Sequence, residues 1–470
     1  MKKILKTLSI LLAVYLTFLI LGSCGPFMAY PEIKDAAPMG LAAEKMHAAS
    51  ASPDRAMIIE DNATALDARI RLMYRAQEEI IIACYDIRDG ESTRDILSVA
   101  LRKADEGVSV RILADGISGL VHMNGDLFRA MAAHPNIDIR TYNMPSPFHP
   151  WKFMGRMHDK YLIVDDVAYI LGGRNMFDYF IGDYPTEHRS HDREALVFNA
   201  GGSSESSVHA LRDYFEALWN QSYVTPFGSD MPAGAALCNR IYSELSGRYL
   251  DLRTFKPLLF AEYDLAAATE PTRGVHLVTG PTGLYAKEPV VFQTLYELMM
   301  RAEEDVIIHS PYAVLNGYME TALGDISAHV PTTIMVNARE NGDNIVASSD
   351  YTYHRGKVID TGAQLLEYAG GESYHGKSIA IDGDISVIGS FNMDLRSAYV
   401  DTEIMLVINS EAINAQLREN MNALHADCIS ILSRDEAIIP EGLAVPEASP
   451  AKKILWHVLG IILQPFRIMV

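Results

Sequence analysis

Positive charge is in short supply: Lys and Arg number 40 against 60 Asp and Glu, a formal net charge of -20 over 470 residues. A groove that follows a nucleic-acid backbone needs clustered cations to neutralise its phosphates, so no nucleic-acid partner is expected. Cysteine is nearly as scarce. Cys24, Cys84, Cys238 and Cys428 are the only four and form no CxxC pair, which removes the usual spacing of zinc and dithiol sites. No metal and no cofactor is expected, and Cys84, Cys238 and Cys428 read as inert buried thiols. Apolar side chains, by contrast, make up 49% of the chain, enough for the cores of two or three domains.

Lys2, Lys3 and Lys6 precede a stretch without charge from Thr7 to Pro31. Basic residues followed by such a stretch form an export signal, the positive end staying in the cytoplasm. Two readings stay open. "LGSC" at 21–24 resembles a bacterial lipoprotein box, in which Cys24 is lipidated; alternatively the stretch spans the bilayer uncleaved, for which about 20 apolar residues suffice. Either reading tethers the remainder to a membrane outside the cytoplasm. At the other end "KKILWHVLGIILQPFRIMV" (452–470) is too short to span. It suits an interfacial segment or a helix docked on the core, and a Pro- and Ala-rich linker precedes it.

The chain repeats itself. "LMYRAQEEIIIACYDI" (72–87) matches "LMMRAEEDVIIHSPYA" (298–313), each the end of an amphipathic helix running into a β-branched strand. Further helices and apolar strands follow in the same order, which predicts parallel α/β units in both halves. The expected layout is a signal or anchor at 1–31, a first half at 45–221 and an irregular connecting region at 222–274. A second half at 275–435 and a linker with the apolar segment at 436–470 complete it.

The repeat carries chemistry. His158 is followed by Lys160, Asp165, Gly172 and Asn175 at +2, +7, +14 and +17; His375 is followed by Lys377, Asp382, Gly389 and Asn392 at the same offsets. Glu194 and Glu403 align downstream, the first copy carrying eight extra residues between its Asn and its Glu. One HxKxxxxD is weak evidence, whereas two with coincident Gly, Asn and Glu positions are strong. Strand alternation puts His and Lys on one face. Asp165 and Asp382 read as turn residues ahead of catalysts, and each hairpin returns its glycine and Asn beside its own His. Gly172, Gly389 and Ser390 are small enough for backbone to approach a ligand.

Two His, two Lys and two Asn gathered about a pseudo-twofold axis suit one phosphodiester anion. A neutral imidazole attacks phosphorus and a protonated one gives its proton to the departing alcohol. Lys and Asn stabilise the anionic transition state. Glu194 and Glu403 are expected to accept from the second ring nitrogen of each His, with Asp192 and Asp401 as alternatives for that role.

These paired motifs, with "GRMHDK…GGRN" and "GSFNMDLRSAYVDTE", resemble the phospholipase D superfamily over roughly residues 60 to 435. Within it they are most similar to bacterial cardiolipin synthases lacking paired N-terminal transmembrane helices. The resemblance implies duplicated α/β/α sandwich halves related by a pseudo-twofold axis, with the site between them. It also implies metal-independent, two-step phosphatidyl transfer through a phosphohistidine, His158 as nucleophile and His375 as general acid. Phospholipids and the membrane surface are the implied partners, with no obligate protein partner. Cardiolipin formation from phosphatidylglycerol leads; hydrolysis to phosphatidic acid, then a nuclease of the same superfamily, and a non-catalytic lipid-binding lipoprotein are the alternatives.

Overall fold

A computed structural model describes residues 2–48, 50–229, 232–445 and 447–470, so Met1, Ala49, Asp230, Met231 and Pro446 lie outside the described residues. In chain order the first strands are β1 (Asp54–Ile59), β2 (Glu79–Cys84), β3 (Ser109–Asp115), β4 (Ile137–Tyr142), β5 (Lys160–Val164), β6 (Ala168–Gly172), β7 (Ser190–His191), β8 (Glu194–Asn199), β9 (Val224–Pro226) and β10 (Glu270–Pro271). The second series is β11 (Gly274–Thr279), β12 (Val306–His309), β13 (Thr332–Asn337), β14 (Gln364–Tyr368), β15 (Ser373–Tyr374), β16 (Ser378–Ile381), β17 (Ile385–Gly389), β18 (Ile404–Asn409), β19 (Cys428–Ile431) and β20 (Ala437–Ile438).

They form two large sheets, ordered β10-β1-β8-β6-β5-β2-β3-β4-β9 and β11-β18-β17-β16-β12-β13-β14-β19-β20. From β1 to β9 and from β11 to β19 the orders coincide strand for strand, so the fold is a duplication. The sheets are mixed rather than wholly parallel. β2, β3 and β4 run parallel, as do β12, β13 and β14. The hairpins β5–β6 and β16–β17 are antiparallel. The cause is local: a short Asp-containing turn returns the chain directly, which only antiparallel pairing permits, whereas parallel neighbours need a crossover helix.

One face of each sheet is covered by its own helices. The other face meets the second half, where Ile81, Tyr161, Leu171 and Val197 share a core with Ile307, Ala380, Ile388 and Leu406. Each fully buried large apolar side chain contributes roughly 1.5–3 kcal/mol, so the halves are held by a common interior rather than by a surface contact. Every residue of β5 and β6 is buried, as expected for strands covered on both faces.

The connecting region is not irregular. Residues Ala235–Phe255 form a 21-residue helix burying Ile241, Leu245, Tyr249 and Leu252 against the first half. Their spacing of four, four and three is helical; the intervening polar residues mask it.

An N-terminal helix, Lys2–Cys24, stands exposed along most of its length, with only Ser23 and Cys24 buried. It is long and apolar enough to cross a membrane. Its base packs on the 147–150 loop, Ser23 Oγ donating to Pro150 O at 2.9 Å, and Cys24 lies against Met469. The C-terminal helix Pro450–Ile462 buries Trp456 and Gly460, the latter against helix Ile345–Asp360. It leaves Ile454, Val458, Ile461 and Ile462 exposed, so one face docks and the other is free.

Candidate active site

His158 lies just before β5 and His375 just before β16, at matching ends of the two sheets. Two short pairings stitch these ends together: Met157 bridges Thr402, and β7 pairs in parallel with β15. His158 N donates to Thr402 O at 3.3 Å, and His375 N donates to His191 O at 2.7 Å. Each histidine is thus anchored by backbone of the opposite half.

The carboxylates cross over as well. Glu403 Oε1 accepts from His158 Nδ1 at 2.9 Å, and Asp192 Oδ2 accepts from His375 Nδ1 at 2.6 Å. A bond that holds Nδ1–H on a ring turns its Nε2 toward a reacting atom; at His375 that nitrogen also lies 3.0 Å from Lys377 Nζ. Glu403 is fixed in turn by the hydroxyls of Ser390 and of Ser397, the latter at 2.6 Å. Thr402 Oγ1 donates to Asp159, which also accepts from Tyr214 OH.

The electrostatics follow from burial. Burial, then Lys160 and Lys377, push His158 well below the usual imidazole range, which favours a neutral ring. Burial and Lys377 lower His375 while Asp192 opposes them. Burial also brings Lys377 down to about 7 and raises Glu403 to about 7. In Asp192 burial is outweighed by Lys377, His375 and Arg174, which hold its carboxyl below the usual carboxylate range. Lys377 Nζ lies 2.7 and 3.0 Å from the two ring nitrogens of His375 and donates to His375 O. Lys160 Nζ donates to His158 O.

The structure thus brings together His158, His375, Lys160, Lys377, Asn175, Asn392, Glu403 and Ser390. The amide oxygens of Asn175 and Asn392 are buried without a hydrogen-bond partner among the described residues, and both side chains line a cavity with the two histidines.

Three expectations need correction. Glu194 meets no imidazole: Arg69 grips it at 2.5 and 2.8 Å, and Arg174 lies 3.5 Å away. Position 174 is Arg where the second copy has Phe391, so the first half captures its own Glu and its Asp192 serves the histidine instead. Asp401 likewise pairs with Arg396 at 3.0 Å. Gly172 and Gly389 do not open backbone to a ligand. A Cβ there would lie 2.4 Å from Arg193 O and 2.2 Å from Ile404 O, so they admit the neighbouring strand. Asp165 and Asp382, in contrast, are the turn residues expected, in left-handed backbone away from the imidazoles. Asp165 accepts from the N–H groups of Gln77, Glu78 and Glu79, and Asp382 from those of Glu303, Glu304 and Asp305.

Sequence reasoning missed the rings and the cation. Tyr85 packs edge-on against His158 with centroids 5.2 Å apart, and Phe180 lies 5.0 Å from His375. Arg396 lines the same cavity, of about 350 Å³, together with Tyr85, Val346, Met469 and Val470. A charged residue four places after Asn392 was the one available signal for Arg396. Nothing in the spacing marks Tyr85 or Phe180.

The chain is similar to known proteins. A family profile described as "Cardiolipin synthase, PLD-like domain" matches residues 70–219 and 295–425. The chain is similar to cardiolipin synthase C of Escherichia coli K12, 28% identical over 409 residues, covering 76% of this chain and 82% of that one. It is also 25% identical over 404 residues to an uncharacterized protein of Helicobacter pylori strain J99, covering 77% and 78%. Among solved structures, phosphatidylserine synthase of Haemophilus influenzae superposes with a TM-score of 0.65 at 14% identity, over 92% of this chain and all of that one, a likeness of fold.

Proposed function

Given that the chain belongs to the family of cardiolipin synthases with phospholipase D-like domains, we propose that it is a phosphatidyltransferase forming cardiolipin from phosphatidylglycerol through a phosphohistidine. The observation that carries this reading is the crossed pair: two buried imidazoles, each held at Nδ1 by a carboxylate of the other half. His158, driven neutral by burial and two lysines, is the nucleophile. His375, whose protonated form Asp192 stabilises, is the acid that protonates the leaving alcohol and then the base that activates the incoming one. Lys160, Lys377 and the amide N–H groups of Asn175 and Asn392 stabilise the phosphoryl oxygens, while the unpartnered amide oxygens of the two Asn are left to accept from a hydroxyl.

Residues 45–221 and 275–435 are the two halves of this site, and residues 1–31 the membrane tether that keeps it outside the cytoplasm. The free apolar face of helix Pro450–Ile462 rests at the lipid interface. That Met469, close to this helix in the chain, lines the cavity beside His158 supports entry of lipid from this side.

Incubation of the purified protein with phosphatidylglycerol vesicles tests the activity. Cardiolipin and glycerol are the expected products by mass spectrometry; phosphatidic acid alone would replace transfer by hydrolysis.

A further inference from the structure

Two cavities open on His375, one of them on His158 as well, and repeat equivalence relates their walls. One, of about 350 Å³, holds Arg396 and Tyr312; the other, of about 520 Å³, holds Tyr179 and Asp86. Tyr179 stands 21 residues after His158 and Arg396 stands 21 after His375. Asp86 and Tyr312 occupy one position of the aligned segments 72–87 and 298–313. The cavities are therefore counterparts across the pseudo-twofold axis, with different chemistry: the first has two acids and three apolar residues beside its Arg, the second five acids and four rings of Tyr and Phe beside its Arg. Tyr85, Asn175 and His375 line both, so the two meet at the imidazole assigned as proton donor. The free amide oxygen of Asn175, a residue 7% exposed, lies at that junction.

The Arg396 cavity combines Arg396, paired with Asp401 at 3.0 Å, and one further acid, Asp394, with apolar Val346 and Met469. The Tyr179 cavity is walled by acids and rings. Asp86 is taken up by Arg88 and His122, and Asp178 by the N–H groups of Glu91 and Ser92. Asp343 accepts from the Tyr312 hydroxyl at 2.7 Å and lines the cavity beside Tyr179. Carboxylates accept hydroxyl hydrogens and repel phosphate; ring faces pack on the C–H surface of a small polyol.

We propose that the cavity walled by Tyr179 and Asp343 is the alcohol subsite, selecting a neutral polyol group such as glycerol, while the Arg396 cavity holds the phosphatidyl side. This rests on the phosphatidyl-transfer reading. On entry His158 nitrogen bonds to phosphorus, the bond from phosphorus to the leaving oxygen breaks, and His375 supplies that oxygen's proton. On return an acceptor hydroxyl in the same cavity gives its proton to His375, its oxygen bonds to phosphorus, and the phosphorus–nitrogen bond breaks. One cavity serves both alcohols in turn.

The test is a competition. The full-length protein acts on phospholipid vesicles with glycerol and 1-propanol at equal concentration, and the two transfer products are quantified by mass in the same tube. Wild type is expected to form at least fivefold more glycerol product. Asp343→Asn and Tyr179→Leu are expected to bring the ratio within twofold of unity, and Val346→Ala in the other cavity to leave it at the wild-type value. A wild-type ratio near one, variants that keep the wild-type ratio, or phosphatidic acid as the sole product overturns the subsite. Failure to consume any phospholipid overturns the transferase reading itself, a distinct result. Adding phosphatidylglycerol separates the sources of the polyol, since lipid-borne glycerol gives a four-chain product and free glycerol a two-chain one.

Discussion

The two imidazoles are alike in sequence context and unlike in surroundings. His375 is lowered by burial and Lys377 and raised by Asp192. Asp192→Asn removes the raising influence, so the ring's pKa falls further. A general acid works protonated, so the alkaline limb of the kcat/KM profile is expected to move to lower pH, with about a tenfold loss of the acid form per unit. A limb that stays in place would show that Asp192 does not set this proton. The two repeat-equivalent glutamates separate in the same way. Glu403→Gln is expected to lower kcat with little change in Tm. Glu194→Gln leaves the buried Arg69 facing an uncharged group and is expected to lower Tm, on the scale of roughly 3–5 kcal/mol for breaking a buried pair. Thermal unfolding alongside kinetics distinguishes them. The offsets from each His made His, Lys and Asn legible, because those residues act from one strand end. Glu403, and Asp192 as an alternative, were legible as imidazole partners; that each serves the histidine of the opposite half, and that Arg69 and Arg174 take Glu194, was not.

The aspartates of the HxKxxxxD motifs belong to the hairpins rather than to the chemistry. Each sits at φ near +50°, 50° for Asp165 and 46° for Asp382, a region Asp tolerates better than most residues. Each clamps three consecutive N–H groups where a helix gives way to a strand. Asp165→Ala and Asp382→Ala are expected to lose roughly 1–3 kcal/mol each, the scale of stranded donors, while kcat stays within twofold of wild type. Denaturant unfolding and steady-state assays of the same preparations check both halves of that expectation. The turns were readable from Asp-Asp and Asp-Gly-Asp; the clamp was not, since it closes on residues 77 to 79 and 303 to 305, far off in sequence. Helix Ala235–Phe255 was missed for another reason: its four buried anchors are diluted by polar residues, so the apolar stripe is too narrow to stand out.

At the scale of the molecule, the base of the exposed N-terminal helix meets Met469, which lines the cavity and lies seven residues past the end of helix Pro450–Ile462. Replacing Ile454 and Ile461, both exposed, by Glu is expected to cut turnover of vesicle lipid at least tenfold. Turnover of a short-chain phospholipid below its micelle concentration should be unchanged. Equal losses on both substrates would place those residues in folding rather than at the lipid interface. The duplication was legible because both halves repeat one order of helices and apolar strands, and the antiparallel hairpins β5–β6 and β16–β17 from their Asp turns; the antiparallel pairing of β1 with β8 and of β11 with β18 was not, since apolar runs do not reveal direction.

The measurement that reaches the centre is covalent trapping. Protein mixed with phosphatidylglycerol, quenched within a turnover and digested, should carry a phosphatidyl adduct on the peptide containing His158, absent from His158→Ala. Turnover without any histidine adduct would contradict the phosphohistidine route, and an adduct confined to the His375 peptide would contradict the roles given to the two histidines.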